Sequence, residues 1–202
     1  MITRRHLLLA GSALVAAGSL RPAFAVELAE LLKPPTLGDM ALGADEGAKV
    51  TLVEYASATC PHCAEFHKDA WKKIKADYVD TKKIRFIFRE FPLNDAALAA
   101  FMLARAAPKE AYFPMIGVLF ETLDTWAKNP AEGLLNIAKQ AGFTQAKFEE
   151  TLKNEALAKG IMEIRDAGAK FGVEGTPTFF LNGEKFAGRS FEEFKAAIDP
   201  LL

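Results

Sequence analysis

The spacing of hydrophobic positions alternates between the period of a strand and that of a helix. Val50 to Ala56 (Val-Thr-Leu-Val-Glu-Tyr-Ala) is a nearly continuous apolar run of strand length, which suits a central strand covered on both faces. Glu54 is its exception, an acid where burial is expected. From Pro61 to about Tyr78 the period becomes helical, with Phe66, Ala70 and Ile74 on the side of Cys63. Ile84 to Phe88 reads as a second strand, ending in Arg89-Glu90-Phe91-Pro92. A crossover helix between two strands makes them parallel.

From Asn94 to about Phe171 the helical period persists. Tyr112, Ile116, Leu119 and Leu123 recur at helix spacing, as do Leu157, Ile161, Ile164, Gly168 and Phe171. Breaks at Pro108, at Asn129-Pro130 and at Gly142 divide this block into four or five helices. Strand signals return at Thr178 to Leu181. Asn182-Gly183, a strong two-residue hairpin turn, and Lys185-Phe186-Ala187 follow. Ser190 can cap a last helix whose apolar face is Phe191, Phe194 and Ile198. The order is β-α-β, a helical block, then β-β-α: an α/β thioredoxin fold with an inserted all-helical subdomain. Residues 49–93 and 172–202 form the thioredoxin-like part, and residues 94–171 the insertion. The tryptophans, Trp71 and Trp126, and most phenylalanines fit the core. Ahead of this, Val26 to Leu32 can form one helical turn stopped by Pro34 and Pro35. The polar, glycine-containing residues up to Ala48 read as the rest of an extended lead-in, 26–48.

The first 25 residues have a different character. Arg4 and Arg5 precede an apolar stretch from Leu7 to Leu20, and Ala23-Phe24-Ala25 is an A-x-A cleavage pattern. Together they read as a secretory signal peptide removed near Ala25. The apolar run, interrupted by Gly11 and Gly18, is short of the roughly 18 to 20 residues that span a bilayer. Thr3-Arg4-Arg5-His6-Leu7-Leu8 resembles a twin-arginine signal, although a general secretory signal can also begin with two arginines. The full chain of 202 residues has a net charge of −1 and becomes more acidic once Arg4, Arg5 and Arg21 are lost. It carries no basic stripe of the kind nucleic-acid binding requires.

Only two cysteines occur, Cys60 and Cys63, in Cys60-Pro61-His62-Cys63 at the strand-to-helix junction. That context makes a C-x-x-C a redox motif. Proline suits the first helical position, where an N–H would have no intrahelical partner. A cysteine at a helix N-terminus faces free backbone N–H groups and the positive end of the helix dipole, so Cys60 is expected to be acidic. His62 is expected to add a stabilising partner. The competing reading is half a zinc site, for which only His62 and His67 remain as further ligands. Cys63 and His67 do share a helical face.

The chain resembles the DsbA family of exported thiol–disulfide oxidoreductases, from about Gly47 to its end. The resemblance rests on the Pro61-His62 dipeptide between the cysteines, on Glu54 six residues ahead of them, and on Gly175-Thr176-Pro177 before the third strand. It implies that Cys60 is the attacked sulfur and Cys63 its buried partner. The place of Glu54 in an apolar strand argues for a buried acid with a raised pKa, and the resemblance implies that it assists proton transfer at Cys63. Pro177 would be cis and would leave the backbone of Thr176 free to pair with an extended substrate. Implied partners are reduced, folding secreted proteins and a membrane quinone-linked oxidase similar to DsbB. The expected state is a periplasmic monomer without cofactor or metal. Two residues depart from the best-known members: His67 stands where they have an acid, and Thr176 is found in several disulfide isomerases. A disulfide isomerase or reductase on the same fold is therefore the nearest rival. A metal chaperone using Cys60, Cys63 and His67, or a peptide-binding chaperone, is a rival of another class.

Overall fold

Residues 28–202 are described by a computed structural model, and the expected leader lies outside the described residues. The sheet has five strands: β1 (Met40–Gly43), β2 (Thr51–Ala56), β3 (Arg85–Glu90), β4 (Thr178–Leu181) and β5 (Glu184–Phe186). Their spatial order is β1-β3-β2-β4-β5, with β2 and β3 parallel and every other pair antiparallel. All six residues of β2 are buried, as its apolar run requires. Because side chains alternate along a strand, Leu52, Glu54 and Ala56 share one face of β2 and Val53 and Tyr55 the other.

The lead-in is more structured than an extended segment. A short helix α1 (Leu28–Leu31) is followed by β1, which pairs with β3 from Met40 opposite Phe88 to Gly43 opposite Arg85. Two arginines of the main body hold this segment. Arg89 donates to Leu31 O at 3.3 Å and lies 2.8 Å from Asp39. Arg105 donates to Leu37 O and Gly38 O, each at 3.0 Å. Four residues ending in glycine at a sheet edge give almost no periodic signal, which is why the strand is hidden in the sequence.

The helix that follows the cysteines is interrupted. It divides into α2 (Pro61–Lys68) and α3 (Ala70–Ile74) at Asp69, whose φ of −120° and ψ of −85° are not helical, and closes in a π-turn over Lys75–Val79. No proline or glycine announces this break. The helical block holds six α-helices instead of four or five: α4 (Asp95–Ala106), α5 (Tyr112–Glu121), α6 (Leu123–Trp126), α7 (Pro130–Gln140), α8 (Gln145–Leu152) and α9 (Glu155–Lys170). The expected breaks are present, and Thr122 and Asn154 add two more. Asn154 accepts from Leu157 N at 3.0 Å, the N-cap bond that starts α9.

Two apolar layers sandwich the sheet. On one side Val53, Tyr55, Ile87 and Phe180 pack with Leu31, Phe91, Ile164 and Val173. Gly168 lets α9 approach there, since a Cβ would stand 2.7 Å from the Tyr55 ring. On the other side Leu52, Phe86, Phe88 and Phe179 meet both cysteines, Phe66, Trp71 and the helical insertion. Each fully buried Phe contributes about 1.5–3 kcal/mol on this account. Asn182 and Gly183 both have positive φ, 49° and 88°, the backbone of a type I′ hairpin turn. Ser190 and Glu193 form a capping box on α10 (Phe191–Ile198).

Candidate active site

The site is assembled where β2 ends. Cys60 N donates to Ser57 O at 3.0 Å, closing a turn that ejects the chain from the sheet and starts α2. Cys60 is the N-cap, and its sulfur accepts from Cys63 N at 3.4 Å. Pro61 fills the first helical position. The turn is stapled to the insertion, because Ser57 Oγ accepts from Leu93 N and Thr59 Oγ1 from the Asn94 side chain. Sequence reasoning missed these residues, which carry only the generic signature of loop polar groups.

The two cysteines, both free, are electrostatically unlike. Cys60 keeps 5% of its surface exposed and Cys63 none. The Cys60 thiol is lowered to about 5, chiefly by the hydrogen bond from the Cys63 thiol. Burial opposes this, and the Thr176 side chain and the backbone N–H groups of Cys63 and His62 add to it. Burial pushes the Cys63 thiol far up, assisted by its bond to Cys60 and by the negative charge of Glu54. A helix start thus supports one thiolate and a closed interior denies the second.

Each sequence-selected residue has a definite place. His62 is exposed beside Cys60 and supports the thiolate through its main-chain N–H. The Thr176–Pro177 peptide bond is cis. Thr176 O lies 3.2 Å from Cys60 Sγ and accepts from it in the thiol form. The Thr176 hydroxyl is buried with no hydrogen-bond partner among the described residues. Glu54 is fully buried, as the pattern of β2 suggested, and faces the cysteine side of the sheet.

Its partner was not foreseen. His67 Nε2 reaches both Glu54 oxygens, at 3.0 and 3.2 Å. The signal was present, since a buried acid needs a partner and His67 lies one turn beyond Cys63 on the same face. This arrangement turns His67 away from the role of third metal ligand. Among the described residues no three His, Cys, Asp or Glu side chains converge on a metal position.

Two clefts lie beside the site, one past His62 and one past Thr176. One, of about 290 Å³, is lined by His62, Glu65, Phe66, Asp69 and Arg189; the other, of about 560 Å³, by Glu174, Thr176, Pro177, Lys185 and Arg189. Arg189 is common to both. Leu93, 52% exposed, is the large apolar side chain beside the cysteine turn.

The topology, the dithiol at the start of the crossover helix and the cis proline opposite it define a thioredoxin-fold protein, and residues 36–200 match the family described as Thioredoxin. The crystal structure of α-DsbA1 of Wolbachia pipientis is 32% identical with a TM-score of 0.77, covering 86% of this chain and 95% of that one. The chain belongs to the DsbA family of the thioredoxin superfamily. A relative in Rickettsia conorii named as a protein-disulfide oxidoreductase is 32% identical over 168 residues, 81% of this chain and 60% of its own. Oxidised BdbD of Bacillus subtilis, 23% identical with a TM-score of 0.70, covers 83% of this chain and 95% of that one and shares its fold. The chain spans about three fifths of the length of the curated Rickettsia relatives it matches.

Proposed function

We propose that this protein is an exported thiol–disulfide oxidase that donates its Cys60–Cys63 disulfide to reduced, newly translocated proteins. The observation that carries the reading is the asymmetry of the dithiol: Cys60 lowered to about 5, Cys63 raised by burial. A substrate thiolate attacks Sγ of Cys60, the one cysteine of the pair that keeps exposed surface. The Cys60–Cys63 bond breaks, a substrate–Cys60 disulfide forms, and the electron pair stays on Cys63. A second substrate thiolate attacks the substrate sulfur of that mixed disulfide and expels Cys60 as a stable thiolate. Substrate leaves oxidised and the protein reduced by two electrons. A stabilised Cys60 thiolate favours the reduced protein, which makes its disulfide a strong oxidant. The names of the relatives support this class of chemistry. The leader pattern supports action in the periplasm, and the resemblance to the DsbA family supports reoxidation by a membrane quinone-linked oxidase similar to DsbB.

Two measurements test the reading. The equilibrium potential against a glutathione buffer is expected to be far more oxidising than glutathione, and a value as reducing as thioredoxin refutes the oxidase. The second is pH linkage. In the folded, reduced protein Cys60 ionises near 5, whereas in the unfolded chain it does so near its ordinary value of about 8.5. Between these values the unfolded state binds the extra proton, so the stability of the reduced form rises with pH, by up to about 1.4 kcal/mol per unit. The gain is complete above the unfolded value and is lost as pH falls through about 5. The disulfide form has no such thiolate. Melting temperatures of the two forms are therefore expected to diverge in favour of the reduced form from pH 4 to 8, and parallel curves refute a thiolate.

A further inference from the structure

The oxidase cycle leaves one proton unaccounted for. When the Cys60–Cys63 bond opens, Cys63 receives an electron pair in a position with no exposed surface. Its environment strongly disfavours the charge, through burial and the nearby Glu54 carboxylate. A proton must reach this sulfur, and the same proton must leave when the disulfide closes. Glu54 cannot exchange it with water directly, because it too is fully buried.

The structure offers one neighbour with both contacts. The His67 imidazole holds Glu54 through Nε2 at 3.0 and 3.2 Å, and keeps 6% of its side-chain surface exposed where Glu54 keeps none. Nδ1, on the opposite edge of the ring, has no hydrogen-bond partner among the described residues and is not among the closed-off polar atoms. Aromatic rings fix the imidazole. Phe120 of α5 stacks on it at 4.3 Å, and Trp71 and Phe88 stand at 5.5 and 6.1 Å.

Among the described residues no other group hydrogen-bonds the Glu54 side chain. Phe88 is its register partner on β3, so that strand brings an apolar ring where a base could stand. On α5, Tyr112 commits its hydroxyl to Glu90. The charges that flank His67 in sequence on α2 and α3 pair at the surface, Lys68 with Asp124 at 3.9 Å and Lys72 with Glu121 at 3.1 Å. Cys63 lies one helical turn before His67 on α2.

We propose that His67 is the positioning residue that manages the proton of Cys63, holding Glu54 and relaying a proton between that carboxylate and solvent whenever the dithiol opens or closes. On opening, the Glu54 carboxylate takes the Nε2 proton of His67 and passes it to Cys63, and Nδ1 takes one from water. Closing runs the same transfers in reverse, and no electron passes through the ring. This inference rests on the oxidase reading of the same site.

The test is the rate at which dithiothreitol opens the oxidised protein, followed by stopped flow. His67→Gln can still hydrogen-bond Glu54 but carries no exchangeable charge. It is expected to slow opening by about tenfold or more and to flatten its pH dependence, while the alkylation midpoint of Cys60 stays near 5. In His67→Ala, added imidazole is expected to restore part of the rate, which loss of packing alone would not allow. A His67→Gln rate within about twofold of wild type, with an unchanged pH profile, overturns the proposal. If the variants fail to fold, the wild-type protein in heavy water decides, at matched concentrations of dithiothreitol thiolate: slower opening supports the relay, and equal rates overturn it. These ratios to wild type are independent of the equilibrium potential, whose failure would sink the oxidase reading instead.

Discussion

Two glutamates from neighbouring strands, Glu54 on β2 and Glu90 on β3, are both completely buried and meet opposite fates. Glu90 is gripped by the Arg105 fork, Nε to Oε1 at 2.6 Å and Nη2 to Oε2 at 2.9 Å, and accepts from Tyr112 at 2.6 Å. Arginine does not release its proton, so the cation that holds Glu90 is permanent. Among the described residues the Glu54 side chain hydrogen-bonds only an imidazole, whose two ring nitrogens can carry a proton from one side of the ring to the other. Partner chemistry, not burial, separates a fastener from a working part. The fastener joins the end of β3 to helices α4 and α5 and, through Arg105, to the lead-in.

The largest break in this comparison is Arg105→Met, which leaves Glu90 buried as an unpaired charge. Urea unfolding is expected to show a loss of about 3–5 kcal/mol. A double variant, Arg105→Met with Glu90→Met, is expected to recover most of it. A single-variant loss below about 1 kcal/mol would remove Glu90 from the class of permanent ion pairs. Tyr112→Phe is milder. It deletes one hydrogen bond to a charged acceptor, and about 1.5–3 kcal/mol is the expected cost by the same method, with Cys60 alkylation unaltered.

The smallest effect on stability is expected at the other glutamate. Glu54→Gln keeps the shape and a hydrogen bond to His67, so unfolding is expected to shift by less than about 1.5 kcal/mol. Its signature is elsewhere. Without the Glu54 charge, the Cys63 thiol becomes more acidic, read as faster alkylation of Cys63 at alkaline pH in a Cys60→Ser background. An unchanged Cys63 would show that Glu54 does not act on it.

The same pair of glutamates shows what the sequence can and cannot reveal. Glu54 was legible because it interrupts an apolar strand, and the C-x-x-C because two lone cysteines stand at a strand-to-helix junction. Glu90 was not, because an acid at a strand end reads as solvated. Nor was Arg105, which looks like an ordinary polar helix position. Both are explained only by contacts between elements 15 residues apart in sequence. The order of strands and helices followed from periodicity, since each long element buries a face. The short edge strand β1 and the break at Asp69 escaped because each is decided by packing, with no local residue to mark it. His67 lay between these cases, with its spacing visible and its partner hidden.

The hairpin turn has a consequence for the chemical lifetime of the protein. Asparagine followed by glycine is prone to lose ammonia when the next backbone nitrogen attacks the side-chain amide. In this turn the Asn182 amide is held on both sides, accepting from Thr51 N at 2.8 Å and donating to Lys49 O at 3.1 Å. Attack requires both bonds to open, so the folded chain protects a bond that the unfolded chain exposes. Deamidated Asn182 would carry a negative charge and could no longer donate to Lys49 O. The turn therefore records molecular age: each excursion from the native hairpin adds to a damage that refolding does not erase.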